Sequence, residues 1–343
     1  MQELLVVVSV KNILRNIALW KGKLKAGTKF YAVVKANAYG HGAERVAEAI
    51  ESAVDGFAVA TVEEGVALRV AGVEKEILLL SPVLTEEEAV YAARHGLTLC
   101  LCSLAAFFTA RRAAEKYGLT FRGQIKVDTG MNRLGVRGAP LTRLCRLLAA
   151  DPRFAVTGVY SHLYLPGDRA ESEKQRQRFL SETKRVSDIL GPLPRHLSAT
   201  GGILLGEEFL FDAVRVGIGI YGYLPAGVKK EVALFPAMKI YAAAEGSHRF
   251  SGGGAGYAKA TKEYKDITVY RLGYADGFLR GGGGAELGAE GNLCMDGCIA
   301  AGRKKYGEKK VVLSSAERVA EQSGTIACEV LCAVGKRAHF EYV

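Results

Sequence analysis

Lys35 closes FYAVV, a dense apolar and β-branched run at 30–34 with the composition of a buried strand. Lysine is almost never fully buried unless it is paired or bonded, so one carried on the end of a core strand either turns to solvent or is held for chemistry. The residues that follow favour chemistry. Asn37, Tyr39, Gly40, His41 and Gly42 gather polar and conformationally permissive residues in a short loop before a helical pattern at 43–52. Other strand-like runs end in Lys126 with Arg133 shortly beyond, in His162, in Ser198 and Thr200, and in Arg215 followed by Gly217-Ile218-Gly219. Brought together, these side chains form a cationic cup suited to a ligand carrying phosphate and carboxylate. The backbone N–H groups of the Gly217–Gly219 turn are the natural phosphate donors. A lysine among cations loses its proton more readily, and the neutral amine is the nucleophile that forms Schiff bases.

These residues need strands to carry them. Strand-like runs lie at 30–36, 56–61, 76–82, 97–103, 121–128, 156–162, 195–200 and 213–220, with helical patterns between them, among them 62–71, 86–95, 104–117, 140–150 and 169–190. Strands alternating with helices make parallel βαβ units, and eight of them give an α/β fold of TIM (β/α)8 barrel type, whose sites lie at the carboxyl ends of the strands. A doubly wound open sheet is the alternative, but no G-x-G-x-x-G follows any strand. Beyond about residue 224 the character changes to short β-rich runs at 237–244, 267–272, 293–301, 310–314 and 326–333, with one helical stretch at 316–322. The expected organisation is a barrel over 8–224 and a mostly β C-terminal domain over 225–343 that takes in an N-terminal strand at 1–7. Glycine-rich stretches at 251–254 and 281–284 read as loops, since neither has the basic residue of a phosphate-binding loop.

At 343 residues the chain exceeds the size of one core, and 49% hydrophobic with 24% charged residues is ordinary for a soluble globular protein. The net charge of +10 is spread along the chain without an aromatic-interleaved basic block, which argues against nucleic acid as a partner. No apolar stretch reaches the roughly 20 residues of a membrane span, and the opening MQELLVVVSV lacks the features of a signal peptide. Seven cysteines without an export signal imply reduced thiols and a cytoplasmic protein. Cys294/Cys298 and Cys328/Cys332 have zinc-compatible spacing, but both pairs sit in apolar stretches that read as strands, where cysteine acts as a small hydrophobe; no metal site is expected.

The motifs VVKANAYGHG at 33–42, KVDTGMNRLGVR at 126–137, GVYSH at 158–162, VRVGIGIYG at 214–222, LGYADG at 272–277 and CMD at 294–296 resemble, in order and over nearly the whole chain, those of the alanine racemases, fold-type III enzymes that use pyridoxal 5'-phosphate. The resemblance implies that Lys35 holds the cofactor and is the base on one face of the substrate. It implies that Tyr274 is the base on the other face, contributed across a homodimer interface, because inversion at a Cα needs one group to remove a proton and another to return it from the far side. Tyr39, Thr200, Gly217 and Ile218 then match phosphate-binding positions, and Arg215 the partner of the pyridine nitrogen. His162 bridges Arg215 and the Tyr274 hydroxyl. Arg133 matches the clamp on the substrate carboxylate, Lys126 a position that is often carbamylated, and Met295 and Asp296 the substrate end. The implied role is D-amino acid biosynthesis for cell wall precursors.

The chain also departs from that pattern. Ala199-Thr200 replaces an asparagine-serine pair, Lys336 falls where the family carries a gate tyrosine, Asn132 replaces a glycine and Asn292 an arginine. An opened gate beside Lys336 leaves racemisation of serine, lysine or an acidic amino acid as an alternative to alanine. A decarboxylase is disfavoured by Arg215, since that class wants a carboxylate against the pyridine nitrogen. A non-catalytic pyridoxal phosphate binder is disfavoured by the joint presence of Lys35 and Tyr274.

Overall fold

The computed structural model describes residues 4–229, 231–260, 262–281 and 286–343. Its first strand, β1 (Leu4–Val8), is followed by a helix, Val10–Lys21, that starts on a Ser9 cap and buries Ile13, Asn16, Ile17 and Trp20. Eight parallel strands come next: β2 (Lys29–Val33), β3 (Gly56–Val59), β4 (Glu76–Leu79), β5 (Thr98–Leu101), β6 (Phe121–Lys126), β7 (Phe154–Tyr160), β8 (Arg195–His196) and β9 (Ala213–Val216). They lie in the order β8-β7-β6-β5-β4-β3-β2-β9. Between β8 and β9 the ring is joined by Asp212 N–H donating to Arg195 C=O at 2.9 Å and Arg215 N–H to Ser198 C=O at 3.0 Å. This is the expected barrel. Side chains alternate between its interior and the helix layer, so the inward positions of β2, β5, β6, β7, β8 and β9 supply Tyr31, Cys100, Gln124, Tyr160, His196 and Arg215.

The second body is a seven-stranded sheet built on β10 (Met238–Arg249), β13 (Asp266–Tyr270), β14 (Ala289–Glu290), β15 (Cys298–Ala301), β16 (Lys309–Leu313) and β17 (His339–Tyr342), in which β1 pairs antiparallel with β10 and parallel with β17. A small ribbon of β11 (Gly254–Ala255) and β12 (Ala258–Lys259) follows the first glycine-rich stretch, while 282–284 of the second lie outside the described residues, as do residues 1–3 of the N-terminal strand.

One expected strand is a helix. The run at 326–333 folds as the helix Ala327–Ala333, burying Ala327, Val330 and Leu331. Those positions have the i, i+3, i+4 spacing of a helix face, and in so short an apolar segment that spacing competes with a strand reading. Cys328 and Cys332 therefore sit one helical turn apart, and Cys294 lies in a turn, its N–H on Gly297 C=O at 2.9 Å.

Candidate active site

The strand that carries Lys35 ends at Val33, and the chain then does something its sequence does not announce. Ala36, Asn37, Ala38 and Tyr39 all adopt the left-handed helical conformation, with φ between 51° and 53°. Each non-glycine residue there costs roughly 1–2 kcal/mol, less for asparagine, so the turn must be held from outside. Glu64 Oε1 accepts from Ala36 N–H at 2.7 Å and Asn37 Oδ1 from Ala43 N–H at 2.8 Å. Fully buried His41 donates from Nδ1 to Ala38 C=O and Tyr39 C=O, each at 3.0 Å, and stacks on Tyr221 at 4.5 Å between centroids. Burial holds His41 down to about 4, so it is neutral. The turn keeps Lys35 at the rim and swings Tyr39 back toward β9.

At the carboxyl ends of the strands lies a cavity of about 420 Å³, within the range of small-molecule sites. Lys35, Tyr39, Lys126, Arg133, His162, Thr200, Arg215, Gly217 and Ile218 all line it, so nine sequence-predicted residues are brought together. Among the described residues that line it, Lys35, Lys126, Arg133 and Arg215 are cationic and none is acidic. The electrostatic consequences are direct. Burial, and then the charges of Arg215 and Arg133, lower the Lys126 amine, which donates to Leu80 C=O at 3.4 Å. Burial, then Arg215, Lys126, Arg133 and Lys35, push His162 down to about 3. Burial alone lowers Arg215 to about 10, still a cation at neutral pH. Its Nη1 donates to His196 Nδ1 at 2.8 Å, and its Nη2 to Ser161 C=O at 2.5 Å and His162 Nδ1 at 3.3 Å.

Arg133 is presented by an irregular loop after β6. Asp128 Oδ1 accepts from Gly130 N–H at 3.0 Å and Asn132 N–H at 3.1 Å, and the loop closes where Val136 N–H bonds Lys126 C=O at 3.0 Å. On the opposite wall the turn after β9 is pressed close. A Cβ on Gly217 would stand 2.5 Å from the Tyr39 hydroxyl, and one on Gly219 would stand 2.7 Å from both Thr200 Cγ2 and Trp20 Nε1. Burial, then Cys328 and Cys332, raise the Tyr39 phenol well above its usual range, so it remains a neutral donor. Cys328 also lines the cup, a residue that the strand reading of 326–333 hid.

Tyr274, Met295 and Asp296 do not line the cup. They form a second cluster in the β domain, where Tyr274 N–H donates to Cys294 C=O at 3.1 Å and Ala275 N–H to Met295 C=O at 3.0 Å. Arg337 ties it together, with Nε on Asp276 Oδ1 and Nη1 on Asp296 Oδ1, both at 2.8 Å. Tyr274 is 39% exposed and Met295 53%. Lys336 is also exposed, with its N–H on Asp276 C=O at 3.4 Å, beside Tyr274 and not at the cup.

Two family models match the chain, "Alanine racemase, N-terminal domain" over residues 8–225 and "Alanine racemase, C-terminal domain" over 248–342. The chain belongs to the alanine racemase family. The alanine racemase of Streptococcus uberis is 32% identical over 98% of this chain and 96% of its own. Among solved structures, the alanine racemase of Bacillus anthracis with bound L-Ala-P superposes with a TM-score of 0.92 at 26% identity, covering 100% of this chain and 95% of that one. That of Bartonella henselae with covalently bound pyridoxal phosphate gives 0.84 at 28% identity, with both chains covered over 100%. In this member of the alanine racemase family Asn132, at the position where the sequence resemblance implies a glycine, has φ 55°, a conformation that asparagine tolerates better than most non-glycine residues.

Proposed function

We propose that this protein is a pyridoxal phosphate-dependent alanine racemase, an isomerase that interconverts L- and D-alanine with Lys35 and Tyr274 as its two bases. The observation that carries the reading is the acid-free cup in which Lys35, Arg133, His162 and Arg215 meet, in a chain of the alanine racemase family. The cup fits the cofactor: four cations suit a phosphate and a carboxylate, and the space above Gly217 is kept open by the absence of a Cβ. When bound, pyridoxal phosphate supplies the electron sink that acidifies the substrate Cα–H.

The chain's own residues do the rest. Tyr39, Thr200, Gly217 and Ile218 would hold the phosphate, Arg133 the substrate carboxylate, and Arg215 would face the pyridine nitrogen. A guanidinium has donors only and holds its proton, so it would leave the ring nitrogen unprotonated and restrain side reactions. For the same reason His162 Nδ1, bonded to Arg215 Nη2, is an acceptor, which leaves the single proton of this neutral imidazole on Nε2. In the proposed homodimer that N–H would donate to the phenol oxygen of the partner subunit's Tyr274 and stabilise its phenolate. Lys35 Nζ exchanges a proton at one face of Cα and the phenol at the other. Lys126, whose proton affinity is lowered by burial and two arginines, is the amine that carbamylation would turn into an anion beside Arg133.

Tyr274, Met295 and Asp296 lie outside the cup of their own chain and are exposed, which supports a homodimer in which each β domain completes the partner's site. We take the domain division to fall near residue 225, with β1 belonging to the second domain by its pairing. Among the described residues no helix is long and apolar enough to cross a membrane, and the seven free thiols support a cytoplasmic enzyme. The test is solvent deuterium exchange at the Cα of both alanine enantiomers. Tyr274→Phe should keep the cofactor absorbance and lose exchange from one enantiomer, and Lys35→Ala should lose the borohydride-sensitive band. Undiminished exchange from both enantiomers in Tyr274→Phe would refute the two-base assignment.

A further inference from the structure

Below the cup the barrel interior holds a line of polar side chains that reaches its amino-terminal floor. Arg215 Nη1 donates to His196 Nδ1 at 2.8 Å, His196 Nε2 meets Gln124 Oε1 at 2.6 Å, and Gln124 Nε2 donates to Glu76 Oε1 at 3.2 Å. The Glu76 carboxylate also accepts from Thr98 Oγ1 at 3.0 Å and from Tyr31 Oη at 2.7 Å. Gln124, His196, Arg215, Tyr31 and Thr98 are all buried. His196 is clasped between two rings, Tyr31 at 5.8 Å and Tyr160 at 5.0 Å, both nearly parallel to it.

The direction of every bond is forced. A guanidinium has no acceptor, so His196 Nδ1 accepts and the imidazole proton is on Nε2. That N–H requires the carbonyl oxygen of Gln124, which turns the amide NH2 toward Glu76, and an ionised carboxylate only accepts. The orientation imposed from the cation at the top agrees with the one imposed from the anion at the bottom. Burial and Arg215 hold His196 well below its ordinary range, consistent with a neutral ring. Among the described residues none of the hydrogen bonds of Arg215 goes to a carboxylate; its nearest anion along this line is Glu76, two side chains removed.

We propose that Glu76 and Gln124 are positioning residues of the racemase: together they fix His196 as the Nε2–H tautomer, so that its Nδ1 lone pair orients the guanidinium that faces the cofactor. With the other tautomer, two donors would face each other at the Arg215–His196 contact and the guanidinium would be displaced. Glu76 acts from the far end of the barrel, at a floor cavity it shares with Lys29, Arg122 and Asp212. The consequence for racemisation rests on the reading of Arg215 given above; the tautomer assignment does not.

The experiment exchanges the two isosteric side chains. Glu76→Gln with Gln124→Glu keeps volume and net charge but places the carboxylate directly against His196. Long-range 1H–15N correlation of the full-length protein, with His196 assigned by its loss in His196→Gln, reads the protonation of each ring nitrogen with and without cofactor. The wild type should show a neutral Nε2–H ring. The exchanged variant should show a ring protonated on both nitrogens, with kcat for alanine lower by about tenfold or more, the effect of losing a charge-assisted bond, and a smaller change in KM. Gln124→Met removes the link, leaves Arg215 alone to select the tautomer and lets the guanidinium turn away from the ring, so the second tautomer should appear beside the first. An unchanged Nε2–H ring in both variants would overturn the proposal. A changed ring with unchanged kcat and cofactor absorbance would leave the tautomer assignment standing and overturn the placement of Arg215 against the cofactor.

Discussion

Glu64 is the residue on which the left-handed turn beside Lys35 most depends, and its replacement gives a graded prediction. One carboxylate oxygen accepts from Ala36 N–H at 2.7 Å, while the other accepts from Ala60 N–H at 2.7 Å and Thr61 N–H at 3.3 Å and completes the capping box of the helix Val62–Val70. Four left-handed residues cost about 4–8 kcal/mol in local conformational energy, somewhat less because one is Asn37, so the turn has little reserve. A charge-assisted hydrogen bond is worth roughly 1.5–3 kcal/mol when shielded and less in water, so two short bonds from a half-buried carboxylate amount to about 2 kcal/mol. Glu64→Ala should lose all of it. Glu64→Gln keeps one acceptor oxygen and turns an NH2 toward a backbone N–H, so it should lose about half or somewhat more. Urea unfolding of the cofactor-free protein measures stability, and cofactor affinity measured alongside reports whether Lys35 and Tyr39 keep their places. Adding Ala36→Gly, which relieves strain where φ is 51°, should recover part of the loss in Glu64→Ala. If Glu64→Ala and Glu64→Gln are equally stable, or if Ala36→Gly worsens the defect, the account of how the turn is held is wrong.

Gly217→Ala should weaken cofactor binding and cost about 1–3 kcal/mol of stability, because the new methyl meets the Tyr39 hydroxyl at 2.5 Å and Tyr39 is itself packed on Tyr221; equilibrium cofactor titration and thermal unfolding check it. Acid should destabilise the fold between pH 6.5 and 4. His41 and His162, held to about 4 and 3, take up protons in the unfolded chain before they do so in the folded one, so stability present above pH 6.5 falls by about 1.4 kcal/mol per pH unit for each. Urea midpoints at pH 7 and 5 test the sign. Arg337→Ala should lower kcat by about tenfold, the loss expected when a charge-assisted clamp is removed, while leaving the cofactor absorbance of the cup intact, since Arg337 braces the Tyr274 and Asp296 turns and touches nothing in the cup.

The strands and the strand-end cations were legible because barrel topology repeats a simple period and turns residue order into spatial position. Helix 169–190 was placed to the residue, its ends marked by the Asp168 cap and by Gly191. The turn at 36–39 was not legible, because Ala36 and Ala38 are poor left-handed formers and their conformation is imposed by Glu64, His41 and the helix Ala327–Ala333 packed against them. His196, Gln124 and Glu76 are silent in the sequence for a different reason. They are 72 and 48 residues apart, on three strands, at inward positions where a polar residue is only meaningful once its partners are known. The run at 326–333 reads as a strand because its seven apolar residues, interrupted only by Glu329, satisfy either period.

The pairing of β1 carries a consequence for the way the chain is made. Leu4–Val8 lies between β10 and β17, strands that follow it by more than 200 and more than 300 residues in the sequence. Its neighbour, the helix Val10–Lys21, is anchored by Asn16 to Ile220 C=O and Phe235 C=O, also late segments. β1 leaves the ribosome long before either neighbour: its β10 edge stays open until residues 238–249 have emerged, and its β17 edge until residues 339–342 have. An apolar strand left open for that long is an adhesive surface. All eight barrel strands precede residue 217, but the sheet beside Tyr274 closes only when β17 pairs with β1, so Leu4–Val8 is the segment whose partners arrive latest.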